Sequence, residues 1–253
     1  MGLLDFFSKS PEKKIERAKS VMLNEHHQAQ VRQGAIHELM TYGTPAAIEA
    51  LVERLGVSIR DTIQNENEQE WVHDLLVRHF KERAVEPLKS FISTGAFVSR
   101  AILTLKELIS EEELTAHLLA TLRRYDPKDH RTVTARENLI DALGDIAACP
   151  LRDLTPYTLD HSDDVRVKVM GILEERLKGE AAAARAEERA EERAEVTRAL
   201  SDVLLDPFSS GRITRAAAAL IMTLALDLSP YAERLAGSLP DGLRIENGQL
   251  RGR

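Results

Sequence analysis

Only one cysteine, Cys149, stands among 253 residues, so neither an intrachain disulfide nor a cysteine-based zinc site can form, and a reducing compartment is the simplest setting. Aromatic residues are 4% of the chain and Trp71 is the one tryptophan, a composition that favours helix over strand. A basic excess is also missing. Charged residues reach 30%, yet the net charge is −7, the wrong sign for a general nucleic-acid binder. No apolar run approaches the roughly 18 residues that span a bilayer. The opening "MGLLDFFSKSPEKKIERAK" lacks the apolar core and small-residue cleavage site of a secretory signal. Phe6 stands where a myristoylation pattern needs Ser or Thr. The expectation is a cytoplasmic protein without a transmembrane segment.

What is present is helix-forming Leu, Ala, Glu and Arg, arranged with a repeat. In "VRQGAIHELMTYGTPAAIEALVERL" (31–55), Val31, Ala35, Ile36 and Leu39 share one helical face. Gly43 then suits the position after a helix end, Thr44 an N-cap and Pro45 the first turn of a new helix. Ile48, Leu51, Val52 and Leu55 repeat the period in that second helix. Similar first-helix patterns start at Val72, Val98, Ala135, Val165 and Ile213. Second segments follow as "AVEPLKSFI", "SEEELTAHLLATL", "PLRDLTPYTL" and "SPYAERLAGSL", with Ser110 and Glu113 matching a capping box. First helices recur at intervals of roughly 26 to 48 residues, the scale of two-helix repeats.

"DDVRVKVMGILEERL" from Asp163 and the "YGTPAAIEALVERL" hairpin resemble HEAT repeats, especially the HEAT-like class also seen in phycobilisome-lyase proteins. Acidic residues, then Val-Arg, then spaced apolar residues and a Gly-Thr-Pro turn carry the resemblance, which extends from about Gln30 to Leu239. It implies an all-α fold: an α-solenoid superhelix of about five to six helix pairs, its second helices lining a concave surface. Such folds mostly serve as binding scaffolds, and some are enzymes.

Three regions follow. Residues 1–25 form an N-terminal amphipathic or capping helix, started by Ser10-Pro11 and carrying Ile15, Ala18, Val21 and Met22 on one face. Residues 26–239 hold the array, including a long charged helix over 180–205. Residues 240–253 hold a β-hairpin cap turned by Asn247-Gly248, with Leu243, Ile245 and Leu250 facing the last helix pair. In "GEAAAARAEERAEERAEVTRAL" (179–200), alanines recur every four residues from Ala182 to Ala194 without a large apolar seam, which argues against a coiled coil. Arg185 with Glu188 and Arg189 with Glu192 support an exposed helix, and Val196, Leu200, Val203 and Leu204 alone face a core.

Chemistry-bearing patterns are sparse. His26 and His27 are adjacent, about 100° apart on a helix and a poor metal pair. His37-Glu38 is the only His-Glu dipeptide, and no H-E-x-x-H, P-loop, dinucleotide or G-x-S-x-G pattern is present. Cys149 precedes Pro150 and reads as a small buried hydrophobe. No cofactor, no metal and no catalytic residue is expected. The favoured reading is a non-catalytic scaffold or adaptor holding a protein or peptide on its concave face, through Arg54, Lys89, Arg123, Arg124 and Arg152. These are interleaved with Glu49, Glu53, Glu86, Glu111, Glu112 and Asp153, a mixture that suits a protein partner better than nucleic acid.

Leu3, Leu4, Phe6 and Phe7, followed by lysines, form a second candidate for partner docking or weak peripheral membrane contact, and Trp71 a third. "QNENEQE" before Trp71 reads as a solvated loop. The alternatives are a HEAT-like nucleic-acid-binding or DNA-repair protein and a lyase-type ligand pocket. Oligomeric state has no signal in the sequence. Deleting 181–194, close to four helical turns, is expected to leave the fold intact and its urea unfolding cooperative; loss of that cooperativity would show the run to be part of a core.

Overall fold

The computed structural model describes residues 10–178 and 186–252. These hold twelve α-helices and one two-stranded antiparallel hairpin, and no helix among them is long and apolar enough to cross a membrane. The chain divides between Thr121 and Leu122 into two compact units.

The first unit opens with α1 (Pro11–Leu23), capped by the Ser10 hydroxyl and started by Pro11, and buries Ile15, Ala18 and Met22. α2 (Ala29–Tyr42) and α3 (Pro45–Arg54) form the expected hairpin. Gly43 takes a left-handed φ of 54°, and the Thr44 hydroxyl accepts the Ala47 N–H at 3.3 Å. α1 packs on both of these helices. α4 (Thr62–Asp74) continues through a π-helical turn at Leu75–Phe80 and a 3₁₀ turn at Lys81–Ala84 into α5 (Val85–Thr94), which lies against α3. α6 (Ser99–Lys106) packs on α5, and α7 (Glu111–Leu122) reaches the division. The Ser110 hydroxyl caps α7 by accepting the Glu113 N–H at 3.2 Å, while the Glu113 carboxylate turns away to Lys89 at 2.7 Å. The neighbouring Glu112 carboxyl is held below its usual range by its own backbone N–H and the Ser110 hydroxyl.

The second unit contains α8 (Val133–Gly144), α9 (Asp163–Lys178), α10 (Ala186–Leu205), α11 (Gly211–Thr223) and the short α12 (Ala232–Leu235). Where "PLRDLTPYTL" promises a second helix, the chain makes two 3₁₀ turns, Leu151–Asp153 and Thr155–Leu159. Pro150 and Pro156 explain this, since neither can donate to a continuous ladder and Pro156 disfavours α geometry at Thr155. "SPYAERLAGSL" is likewise shortened to a 3₁₀ turn and the one-turn α12. Val196, Leu200, Val203 and Leu204 of α10 are buried as expected. Arg193 is less detached than its charged surroundings imply, donating to the Leu224 carbonyl at 2.5 Å. The rest of the alanine-rich run, 179–185, lies outside the described residues.

β1 (Leu243–Glu246) and β2 (Gln249–Gly252) pair through the Asn247-Gly248 turn, both residues at positive φ. The hairpin is fastened by Leu228 N–H donating to the Gly248 carbonyl at 2.7 Å, and Leu250 is buried. A side chain at Gly248 would meet Asp227 and Ser229, so only glycine fits this approach.

Buried arginines are the recurrent joint. Arg32 at the start of α2 donates to Glu68 of α4 at 2.8 Å and to the His27 carbonyl just before its own helix. Arg54 meets the same carboxylate at 3.1 Å and also holds Val57 O and Asn65 Oδ1. In the second unit, Arg136 of α8 makes two 2.9 Å bonds to Asp160 and holds the carbonyls of Asp126, Pro127 and Asp129. Arg166 of α9 pairs with Asp206 at 3.1 Å, donates to Thr158 O and reaches the Ser209 hydroxyl.

Glu68 also corrects the reading of "QNENEQE" as a solvated loop: the stretch is the body of α4. Asp61 caps that helix by accepting the Gln64 N–H, Glu68 is fully buried between two guanidinium groups, and Gln69 holds the carbonyls of Leu55 and Val57. Acidic residues in this stretch are internal partners as well as solvent-facing ones. Glu68→Ala leaves two buried guanidinium groups without their carboxylate. It should cost the first unit about 3–5 kcal/mol in urea unfolding, while Glu66→Ala on the exposed side of α4 stays within about 0.5 kcal/mol.

Candidate interaction face

Arg54 is not a surface residue: it is 0% exposed and committed to Glu68. Burial pulls its pKa down, with the Glu68 hydrogen bond opposing that shift. Its place on a binding face is therefore withdrawn. On α3 Arg54 follows the buried Ala50 and Leu51 by one helical turn, so it lies on a covered face of the helix, where Glu68 of α4 meets it. Lys89 is held between Glu86 at 3.3 Å and Glu113 at 2.7 Å, and the hydrogen bond to Glu113 is the main reason its pKa rises. Arg123, Arg124 and Arg152 belong to the second unit and are exposed there, Arg123 pairing with Asp153 at 2.7 Å. Trp71 is half-buried on α4. Leu3, Leu4, Phe6 and Phe7 lie outside the described residues.

With Arg54 internal and Lys89 paired to Glu86 and Glu113, few basic groups on α3 and α5 are left unpaired. The side of α3 and α5 away from the core carries Glu49, Glu53 and Glu86. Two clefts follow one another along this helix pair. The first, about 500 Å³, is lined by Pro45, Ile48, Glu49, Arg83, Glu86 and Ser90, among others. Arg83 there donates to the Gly43 carbonyl and sits 5.7 Å from the Phe80 ring. The second cleft, about 370 Å³, is bounded by Glu53, Gly56, Val57, Phe91, Gly95 and Phe97, among others.

Gly56 and Gly95 are required in the second cleft because a Cβ on either would press into Phe91. Phe97 remains 65% exposed, unusual for a large apolar side chain. Sequence reasoning passed over Phe91 and Phe97. Their only local signal is the glycine that ends the helical period near each.

The other clusters lead elsewhere. Glu70, His73 and Asp74 bring ligand-capable atoms within 4.8 Å of one another. Their polar atoms already have partners: Glu70 has Arg100, Asp74 has Arg78, and His73 has Thr104 at 3.0 Å and Glu107 at 3.2 Å. In the second unit, Cys149 borders a cleft of about 440 Å³ together with Arg152, Arg176, Glu191, Glu192 and Glu195. Arg176 spends its guanidinium on the carbonyls of Ile146, Ala147 and Cys149, closing the loop after α8. Cys149 is buried, and burial pushes its thiol pKa up, away from the thiolate a nucleophile needs.

No family model matches the chain, and no curated protein matches it. Cys149 should react with an aromatic disulfide reagent at neutral pH roughly a hundredfold more slowly in the folded chain than in denaturant, since access requires local opening. A comparable rate in both states would mark an accessible, activated thiol.

Proposed function

We propose that the chain is a non-catalytic protein-interaction scaffold of the HEAT-like class, an adaptor of the cytoplasm that takes a protein or peptide along its second helices. The observation that carries this reading is the α3/α5 pair, which leaves two successive clefts open on the side away from its core. Clefts lined by helix side chains and aromatic rings suit a chain segment as ligand. The recurrence of a buried arginine near the start of α2, α8 and α9, each holding the loop before its helix and a carboxylate further along the chain, supports repeated helix-pair units. The withdrawal of Arg54 and the pairing of Lys89 weigh against a phosphate-tracking groove on the first unit.

Panning a displayed random-peptide library on the full chain, alongside titration with fluorescent duplex DNA at low salt, tests the reading. The expected result is a set of enriched peptides competing for one face, with no saturable DNA binding. Tight, salt-sensitive DNA binding without any enriched peptide would overturn it.

A further inference from the structure

We infer that the α3/α5 groove selects a basic peptide segment, with one cationic side chain seated between Phe91 and Phe97 and a second between Glu49 and Glu86. This rests on the scaffold reading and specifies its partner.

Three features converge on a positive charge in the second cleft. The Glu53 carboxylate stands at its border; Oε1 holds Lys19 at 2.6 Å and Oε2 has no cation among the described residues. α3 and α5 both end at this cleft, so the negative ends of two helix dipoles meet there. Phe91 and the exposed Phe97 add aromatic faces, which attract an ammonium or guanidinium group. The glycines at positions 56 and 95 let the Phe91 ring lie close against the backbone at this cleft.

The first cleft repeats the preference with different means. Glu49 is exposed with no paired cation among the described residues, and Glu86 is 82% exposed, touching only Lys89 at 3.3 Å. Arg83 keeps its charge at the rim, held there by the Gly43 carbonyl, so the cleft has two carboxylates against one guanidinium group. From Glu49 to the Glu53–Gly56 end, α3 advances about 6–10 Å at 1.5 Å per residue. An extended peptide covers that span in two to three residues at about 3.3 Å each. The ligand is thus a segment with basic residues two or three positions apart, as in Lys-x-x-Lys.

The test uses fluorescein-labelled ten-residue peptides in anisotropy titrations of the full chain. One carries Lys-x-x-Lys in a serine and alanine background, one has both lysines replaced by glutamine, and one by glutamate. The lysine peptide should bind at least about tenfold more tightly than the glutamine peptide, and the glutamate peptide should not bind. Raising sodium chloride from about 0.05 M to about 0.5 M should weaken the complex several-fold.

Glu49→Lys combined with Glu86→Lys should lower affinity at least about tenfold, and Phe97→Ala about fivefold. All three sites are exposed, and unchanged circular dichroism and urea midpoints confirm that the variants fold. Phe208→Ala, at a 90% exposed residue of the second unit, should change nothing. Absence of binding by the lysine peptide up to about 1 mM, equal binding of all three peptides, or indifference to the Glu49/Glu86 and Phe97 changes overturns the inference. Panned peptides that are not basic, or whose binding depends on Phe208, would overturn it while leaving the scaffold reading in place.

Discussion

A guanidinium group taken out of water has five N–H donors that all need partners, and that demand organises both units. Arg136 shows it most fully: two donors go to Asp160 and the others to carbonyls of the loop before α8 and to the Thr132 hydroxyl. One side chain thereby fixes a loop, the start of a helix and a residue 24 positions further along. Arg32 with Glu68, 36 positions on, and Arg166 with Asp206, 40 positions on, do the same. A buried carboxylate paired in this way does not have to stabilise more than an apolar pair would. What it supplies is geometry, because a misplaced neighbour leaves a charge unsatisfied.

These joints also decide which charges are left for the surface. Arg54 is held by Glu68 in the core, so α3 presents Glu49 and Glu53 at its surface, with Lys19 on Glu53. Glu113 turns back to Lys89, and Arg83 bends to a carbonyl. The exposed side of α3 and α5 is acidic for reasons that lie inside the fold. Two helix ends and two phenylalanines then lie beside that acidity, and the proposed preference for a basic segment is their combined effect.

Much of the local structure was legible. Ser10-Pro11, Tyr42-Gly43-Thr44-Pro45 and Asn247-Gly248 have turn and capping chemistry that acts within a few residues, and each does in the fold what its chemistry implies. The first-helix faces at Val98, Ala135, Val165 and Ile213 are buried likewise, because a 3.6-residue apolar period leaves little choice of face. Legibility failed where polar residues answer to distant partners. "QNENEQE" has the composition of a solvated loop, and nothing near it in the chain shows that Glu68 lies between two arginines. The Val-Arg pattern at Val31-Arg32 and Val165-Arg166 was visible, but a sequence does not show which carboxylate each arginine meets.

The sequence by itself determined helical class, helix limits at capped ends, the terminal hairpin and, through its one cysteine, that these 253 residues form no disulfide among themselves. Each depends on forces that reach only a few residues: dihedral preference, capping and periodic apolar burial. The tertiary structure alone decided that Arg54 is internal, that Glu68 is its partner, that "PLRDLTPYTL" folds as two tight turns under α9 and α10, and that Phe91 and Phe97 flank a cleft bordered by Glu53. Charge and polarity have no fixed inside or outside along a chain. Their placement depends on which opposite charge the fold brings within hydrogen-bond reach.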